Sequence, residues 1–285
     1  MTQAEALTIL KTGANVYLTG EPGSGKTHTI NEFVEWLLAV GISPSVTAAT
    51  GIAATHVGGM TLHSWSGIGI SESLTRADVD RIASKEHVAR RLAKAKVLII
   101  EEISMLSAAT FEMADAVCRE VRRVNQPFGG LTVILVGDFF QLPPVARRSF
   151  SEGGPVSRGP SNRLGTSREV EFTYASRVWR DLNLITCYLT EQYRQDDSEF
   201  LNVLSAIRSG KVEEIHHEHL ASRKISSSQI PSVSEVPKLF SHNADVDRIN
   251  AAELAKLPGT AKKFRMSSYG KDSLVEGLKR GCLSP

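Results

Sequence analysis

The amino-acid sequence predicts an α/β fold with a mostly parallel sheet, and three observations carry that prediction. Short apolar runs of strand character recur at Val16 to Leu18, Ser45 to Ala49, Val97 to Ile100 and Thr132 to Val136. The connections between them are helical or irregular and long enough for crossovers, which parallel pairing requires. The first run leads through a glycine-rich turn, Gly20 to Thr27, into a helical pattern, so strand, turn and helix form one unit.

Each element has a local reason. Thr2 and Glu5 have capping-box spacing ahead of Ala6, Leu7, Ile9 and Leu10, which predicts a short opening helix ending near Gly13. After the turn, Ile30, Phe33, Val34, Leu37 and Leu38 recur at helical spacing until Gly41 stops the helix. Residues 67–91 pass from a Gly/Ser turn to a charged helical piece, expected as a small insertion. Ala146 to Arg168 is rich in Ser, Gly, Pro and Arg and reads as a surface loop. Its Arg147, Arg148, Arg158, Arg163 and Arg168 fit either a solvated basic loop or a nucleic-acid contact. Beyond it, Leu184 to Leu189 reads as a strand, Ser198 to Ser209 as a helix closed by Gly210, and Asn243 to Leu257 as another helix.

At 285 residues, with 41% hydrophobic and 22% charged, the composition is that of a globular protein with room for one large domain or two ordinary ones. No apolar run approaches the roughly 20 residues that span a bilayer, and the first residues lack a secretory pattern. The expected location is intracellular: cytoplasmic for a prokaryotic source, nuclear or mitochondrial for a eukaryotic one. Cys118, Cys187 and Cys282 are far apart and never spaced as Cys-x-x-Cys, so they support neither a disulfide framework nor a zinc knuckle. A formal charge of +2 decides nothing about nucleic acid. The cluster His216, His217, Glu218 and His219 reads as a solvated helix face, because adjacent helical residues point apart.

The chemistry concentrates at three strand ends. Gly20-Glu21-Pro22-Gly23-Ser24-Gly25-Lys26-Thr27 matches G-x-x-x-x-G-K-[ST] between a strand and a helix. Gly20, Gly23, Ser24 and Gly25 let backbone N–H groups face phosphates, Lys26 neutralises the terminal two, and the Thr27 hydroxyl is placed for Mg²⁺. Glu101-Glu102 closes the strand Val97 to Ile100, where ligands bind in parallel sheets. Glu101 is the candidate metal carboxylate and Glu102 the group that activates an attacking water. Gln141, after the strand ending at Val136 and braced by Pro143 and Pro144, can bond both the γ-phosphate and that water. Thr50-Gly51 after the second strand opens a short helix whose free N–H groups suit a nucleic-acid phosphate. His63 and Trp65 add flat rings, read either as a stacking platform or as ordinary packing.

With these motifs placed, the chain resembles the PIF-type (petite integration frequency) DNA helicases, a branch of helicase superfamily one. The resemblance rests on Thr2-Gln3, the phosphate loop, Thr50 to Ala54, Gly58 to Ser64, Glu101 to Met105, the Gln141 run, and Leu189-Thr190-Glu191-Gln192-Tyr193-Arg194-Gln195. It implies a RecA-like P-loop NTPase domain over residues 1–182 and the start of a second RecA-like domain over 183–285. It implies ATP and Mg²⁺ as cofactors, single-stranded DNA and DNA duplex junctions as partners, and 5′ to 3′ movement with unwinding. It further implies roles in repair, recombination and telomere maintenance, with Gln3 at the adenine and Arg194 as an arginine finger. The family usually carries Asp-Glu where this chain has Glu101-Glu102, one methylene longer. The run 277–285 falls where the family continues into its second domain, so a C-terminally truncated product is expected. The alternative is a DNA-binding ATPase fragment without unwinding.

Overall fold

A computed structural model describes residues 1–144, 171–193, 197–224, 239–240, 243–259, 262 and 269. The expected basic loop with its five arginines, Cys282 and the run 277–285 lie outside them. The chain divides into two compact units, Met1–Asp196 and Asp197–Pro285.

The first unit runs α1 (Gln3–Leu10), β1 (Val16–Gly20), α2 (Lys26–Ala39), β2 (Ser45–Ala48), α3 (Gly51–His56), β3 (Met60–Thr61) and α4 (Leu62–Ser66). It continues with α5 (Arg76–Ala83), α6 (Glu86–Lys94), β4 (Val97–Glu101), α7 (Ala108–Arg122), β5 (Thr132–Val136), α8 (Arg177–Asp181) and β6 (Ile185–Leu189). The capping box predicted for the first helix is present: the Thr2 hydroxyl accepts from the Glu5 N–H, and Glu5 accepts from the Thr2 N–H. All pairings are parallel in a six-stranded sheet of order β3-β2-β4-β5-β1-β6.

Both sheet faces are covered, which explains why the strands read as continuous apolar runs. Because side chains alternate across a strand, Val16 and Leu18, Val97 and Ile99, and Ile134 and Val136 pack with α1 and α2 on one face. Tyr17, Leu98, Ile100, Val133 and Leu135 pack with α4 through α8 on the other. Cys118 and Cys187 are buried as free thiols, and burial pushes both thiols up. Among the described residues no helix is long and apolar enough to cross a membrane.

Two sequence expectations change. The boundary expected after residue 182 moves to Asp196, because β6 pairs with β1 from Val16–Ile185 through Gly20–Leu189 and so completes the first sheet. The stretch 67–91 is not an appended insertion. Val79 and Ile82 of α5 and Val88 and Leu92 of α6 are buried in the same core as Leu98 and Ile100.

The second unit contains α9 (Ser198–Ser209), α10 (Glu214–Ser222) and α11 (Asn243–Ala255). Asp197 caps α9 by accepting from the Phe200 N–H at 3.0 Å, and Gly210 ends it in the left-handed region at φ 68°. The solvated face expected of this cluster holds for exposed His217 and Glu218 but not for His216, which is buried with Nδ1 accepting the Glu213 N–H at 2.9 Å; His219, one turn on along the same face, lies 3.3 Å from Glu199.

Candidate functional site

Register brings the three predicted strand ends together. Leu18 is level with Val136, and Ile100 with Leu135, so the turn after β1, the end of β4 and the run after β5 emerge at one edge of the sheet. This is the carboxyl end of parallel strands, where such sheets bind ligands.

The loop after β1 is shaped by close approaches as well as by its own conformation. Gly25 sits at φ +84°, and a Cβ there would lie 1.9 Å from Nε2 of Gln3. A Cβ on Gly20 would lie 2.7 Å from the Leu189 carbonyl oxygen of β6. Two loop glycines therefore make room for neighbours, apart from any phosphate. Lys26 Nζ donates to the carbonyls of Gly20 at 2.8 Å and Glu21 at 3.1 Å, so the ammonium already lies inside the loop. Gln3 donates through Nε2 to the Ser24 carbonyl at 3.3 Å, placing the first helix directly against the loop. Thr27 is exposed at the start of α2.

Glu101 ends β4 almost fully buried, and its Oε1 has no hydrogen-bond partner. Burial first, then the charge of Glu102, pushes this carboxyl up to about 7, while Lys26 pulls it back. A buried anionic oxygen without a donor fits a cation, which is what the residue was expected to hold. The chain then turns at Glu102, whose backbone is left-handed at φ 55° and ψ 44°. A bulky residue held there costs on the order of 1–3 kcal/mol and sets where its side chain leaves the strand.

Gln141 is exposed, and Nε2 donates to Asp138 Oδ2 at 3.2 Å. Asp138 is 1% exposed and also accepts the Phe140 N–H through Oδ1 at 3.1 Å, which folds the run into a tight turn. Phe139 anchors that turn, its ring centroid 4.9 Å from Tyr174, 5.6 Å from Tyr17 and 5.7 Å from Trp179. Because Tyr17 belongs to β1, the Gln141 run and the phosphate-loop strand share one aromatic cluster. Sequence reasoning missed Asp138, although an Asp right after a strand and before a turn is the signal for it.

The expected DNA-facing residues separate. The Thr50 hydroxyl caps α3 by accepting from the Ala53 N–H at 3.2 Å, with Gly51 exposed beside it. His63 is half-buried. Trp65 corrects the stacking expectation: it is 2% exposed and packs in the core with Leu62, Val88 and Leu92. A ring with no free face cannot receive a base. Arg194 lies outside the described residues, but the run leading to it is in place: the Tyr193 N–H donates to the Gly23 carbonyl at 3.0 Å, and Gln192 Nε2 donates to Glu21 Oε2 at 3.0 Å. The sequence had placed Gln192 within that motif without giving it a partner.

Comparison with known proteins matches residues 2–218 to the model of the PIF1-like helicases. The chain belongs to the PIF1-like helicase family. It is 41% identical over 291 residues to the ATP-dependent DNA helicase Pif1 of a Psychrobacter strain, covering 98% of this chain and 41% of that protein. Among solved structures, the Pif1 helicase from Candida albicans superposes with a TM-score of 0.78 at 26% identity, over 99% of this chain and 61% of that one. Pif1 from Bacteroides in complex with ADP-AlF3 and single-stranded DNA gives 0.68 at 32% identity, over 92% of this chain and 60% of that one. The chain thus spans about two fifths of that curated Pif1 relative and about three fifths of these solved chains. The all-parallel α/β sheet is the RecA-like architecture expected of this family.

Proposed function

We propose that this chain carries the ATP-hydrolysing motor of a DNA helicase that moves 5′ to 3′ on single-stranded DNA and opens duplex junctions. The observation that supports it most is the convergence of Lys26, Glu101 and Gln141 at one sheet edge, with Glu101 Oε1 buried and unpartnered. On this reading Lys26 exchanges its two loop carbonyls for the terminal phosphates. Glu102 takes the proton of the attacking water, and Gln141 leaves Asp138 to orient that water against the γ-phosphate. Glu101 and Thr27 would hold Mg²⁺, which neutralises phosphate charge when bound. Gln3, held against the loop at the Ser24 carbonyl, is assigned to the adenine, and Arg194, near the end of the first unit, is assigned as an arginine finger, both as the family resemblance implies. Thr50, Gly51 and His63 face the DNA, with roles in repair, recombination and telomere maintenance following from the family.

The test is ATP turnover with and without single-stranded DNA, beside strand separation on 5′-tailed and 3′-tailed duplexes. Turnover should rise with DNA, and Gln141→Ala should keep nucleotide binding while losing the DNA response. Hydrolysis indifferent to DNA would overturn the motor reading. Loss of nucleotide binding in Gln141→Ala would make that residue a simple ligand.

A further inference from the structure

Helix α4 carries His63 yet is only five residues long, and a helix so short does not hold its own shape in water. Its ends are held by other groups. At the start, the Thr61 hydroxyl accepts the Ser64 N–H at 3.2 Å. At the end, half-buried Arg91 of α6 reaches across: Nε donates to the Trp65 carbonyl at 2.9 Å and Nη2 to the Ser64 carbonyl at 2.8 Å. Carbonyls at a helix end carry partial negative charge, and the planar fork of a guanidinium spans two of them where an ammonium would meet them as a point.

The packing settles which side of α4 faces outward. Leu62 and Trp65 are buried in the core with Val88 and Leu92 of α6, whereas His63 is half-buried and Ser64 exposed. Gly67 lets the two helices close up, since a Cβ there would lie 3.0 Å from Val88 and 3.1 Å from Ile82. The base of the grip is itself fixed. Arg122 of α7 donates through Nη1 to the Leu92 carbonyl at 3.0 Å and the Ala95 carbonyl at 2.9 Å, at the end of α6. Arg91 therefore ties the turn that carries His63 to a helix locked into the core.

We infer that Arg91 is a positioning residue for single-stranded DNA, fixing α4 and thereby setting where His63 meets a base. This rests on the DNA reading above and adds a residue whose guanidinium grips carbonyls of its own chain. Two other roles for Arg91 predict different measurements. An arginine that touched a DNA phosphate would, when removed, reduce the salt slope of binding by about one. One that only packed would change stability and leave the DNA affinity of the folded protein alone. Positioning predicts weaker affinity at an unchanged salt slope.

The experiment is a fluorescence anisotropy titration of a labelled oligothymidylate with the chain at several salt concentrations, beside thermal melting of each variant. Wild type should bind; if folded wild type does not, the DNA reading and this inference fall together. If it binds but His63→Ala leaves affinity unchanged, the His63 contact and this inference fall while the motor reading stands. If His63→Ala weakens binding, Arg91 decides the inference alone. Arg91→Ala should then weaken binding by about five- to tenfold, the low end for a lost base stack, with the salt slope unchanged. Adding His63→Ala to Arg91→Ala should weaken it no further, because Arg91 acts through that ring. Additive losses, a reduced slope, or wild-type affinity in folded Arg91→Ala each overturn the inference. Should Arg91→Ala melt too early to titrate, Arg91→Lys keeps the charge and loses the fork. Weaker binding by folded Arg91→Lys at an unchanged slope supports the inference; wild-type affinity overturns it.

Discussion

The two proposed functional faces of the first unit are built differently. At the proposed nucleotide edge, polar groups are committed in advance: Lys26 bonds its own loop carbonyls, buried Glu101 keeps an oxygen without a donor, and exposed Gln141 rests on buried Asp138. Along the stretch from β2 to α4, the Thr50 hydroxyl is spent capping its own helix, and Trp65 is core. Phosphate chemistry needs charges fixed within tenths of an ångström, which only a packed sheet edge supplies. A surface that tracks DNA without regard to sequence can rely on backbone N–H groups and a half-exposed ring. The first face is a set of polar groups fixed by one another before any ligand arrives, the second a boundary of the core.

The strongest attempt to break this contrast is Trp65→Ala. If the indole is core, the substitution costs about 3–5 kcal/mol of stability, read by urea denaturation. Trp65→Phe should cost far less, since it keeps a ring and removes an Nε1–H that has no acceptor. Single-stranded DNA affinity of the folded Trp65→Phe protein should match wild type. Unchanged stability in Trp65→Ala with lost DNA binding would return Trp65 to the surface role and erase the contrast.

The way each face could be read from sequence follows the same division. The phosphate loop, Glu101 and Gln141 were legible because strand, turn and helix periodicities frame them and each chemistry admits few residue types. Strands β1, β4 and β5 were legible because both faces are apolar, whereas the two-residue β3, with Met60 exposed, was not read as a strand. The exact helix Ser198–Ser209 came from Gly210 and its spacing. Trp65 was not legible, because a Trp beside a His looks the same in sequence whether its ring packs or stacks, and only the tertiary neighbours Val88 and Leu92 decide. The domain boundary failed for a related reason: the partner of β6 is β1, almost the whole unit away along the chain. Gln192 was invisible as a partner because a hydrogen bond to Glu21, 171 residues away along the chain, leaves no periodicity, whereas Asp138, two and three residues from its partners, carried a local signal that went unread.

On the nucleotide side, Lys26→Ala should lower ATP turnover by about 10²- to 10³-fold, the scale for removing one preorganised charge from a developing transition state. Gly25→Ala should follow at about 1–3 kcal/mol, because it forces a Cβ into the left-handed region and against Gln3. Urea denaturation should read that cost, and Gly25→Ala combined with Gln3→Ala, compared with Gln3→Ala alone, should recover only the part due to the clash. Full recovery would show that backbone strain contributes nothing; none would show that Gln3 yields freely.

The smallest effect belongs to His63, and it sharpens the contrast most finely. Its ring is half-buried at the start of a five-residue helix, with its backbone carbonyl already accepting the Gly67 and Gly69 N–H groups. If that ring meets a base, His63→Ala weakens single-stranded DNA binding at the low end of about 1–3 kcal/mol, with little change in melting temperature. His63→Phe should restore it, since stacking needs a flat ring and no charge. If His63→Ala instead lowers stability and leaves DNA affinity intact, His63 joins Trp65 in the core. The DNA face would then rest on the backbone at Thr50 and Gly51 alone.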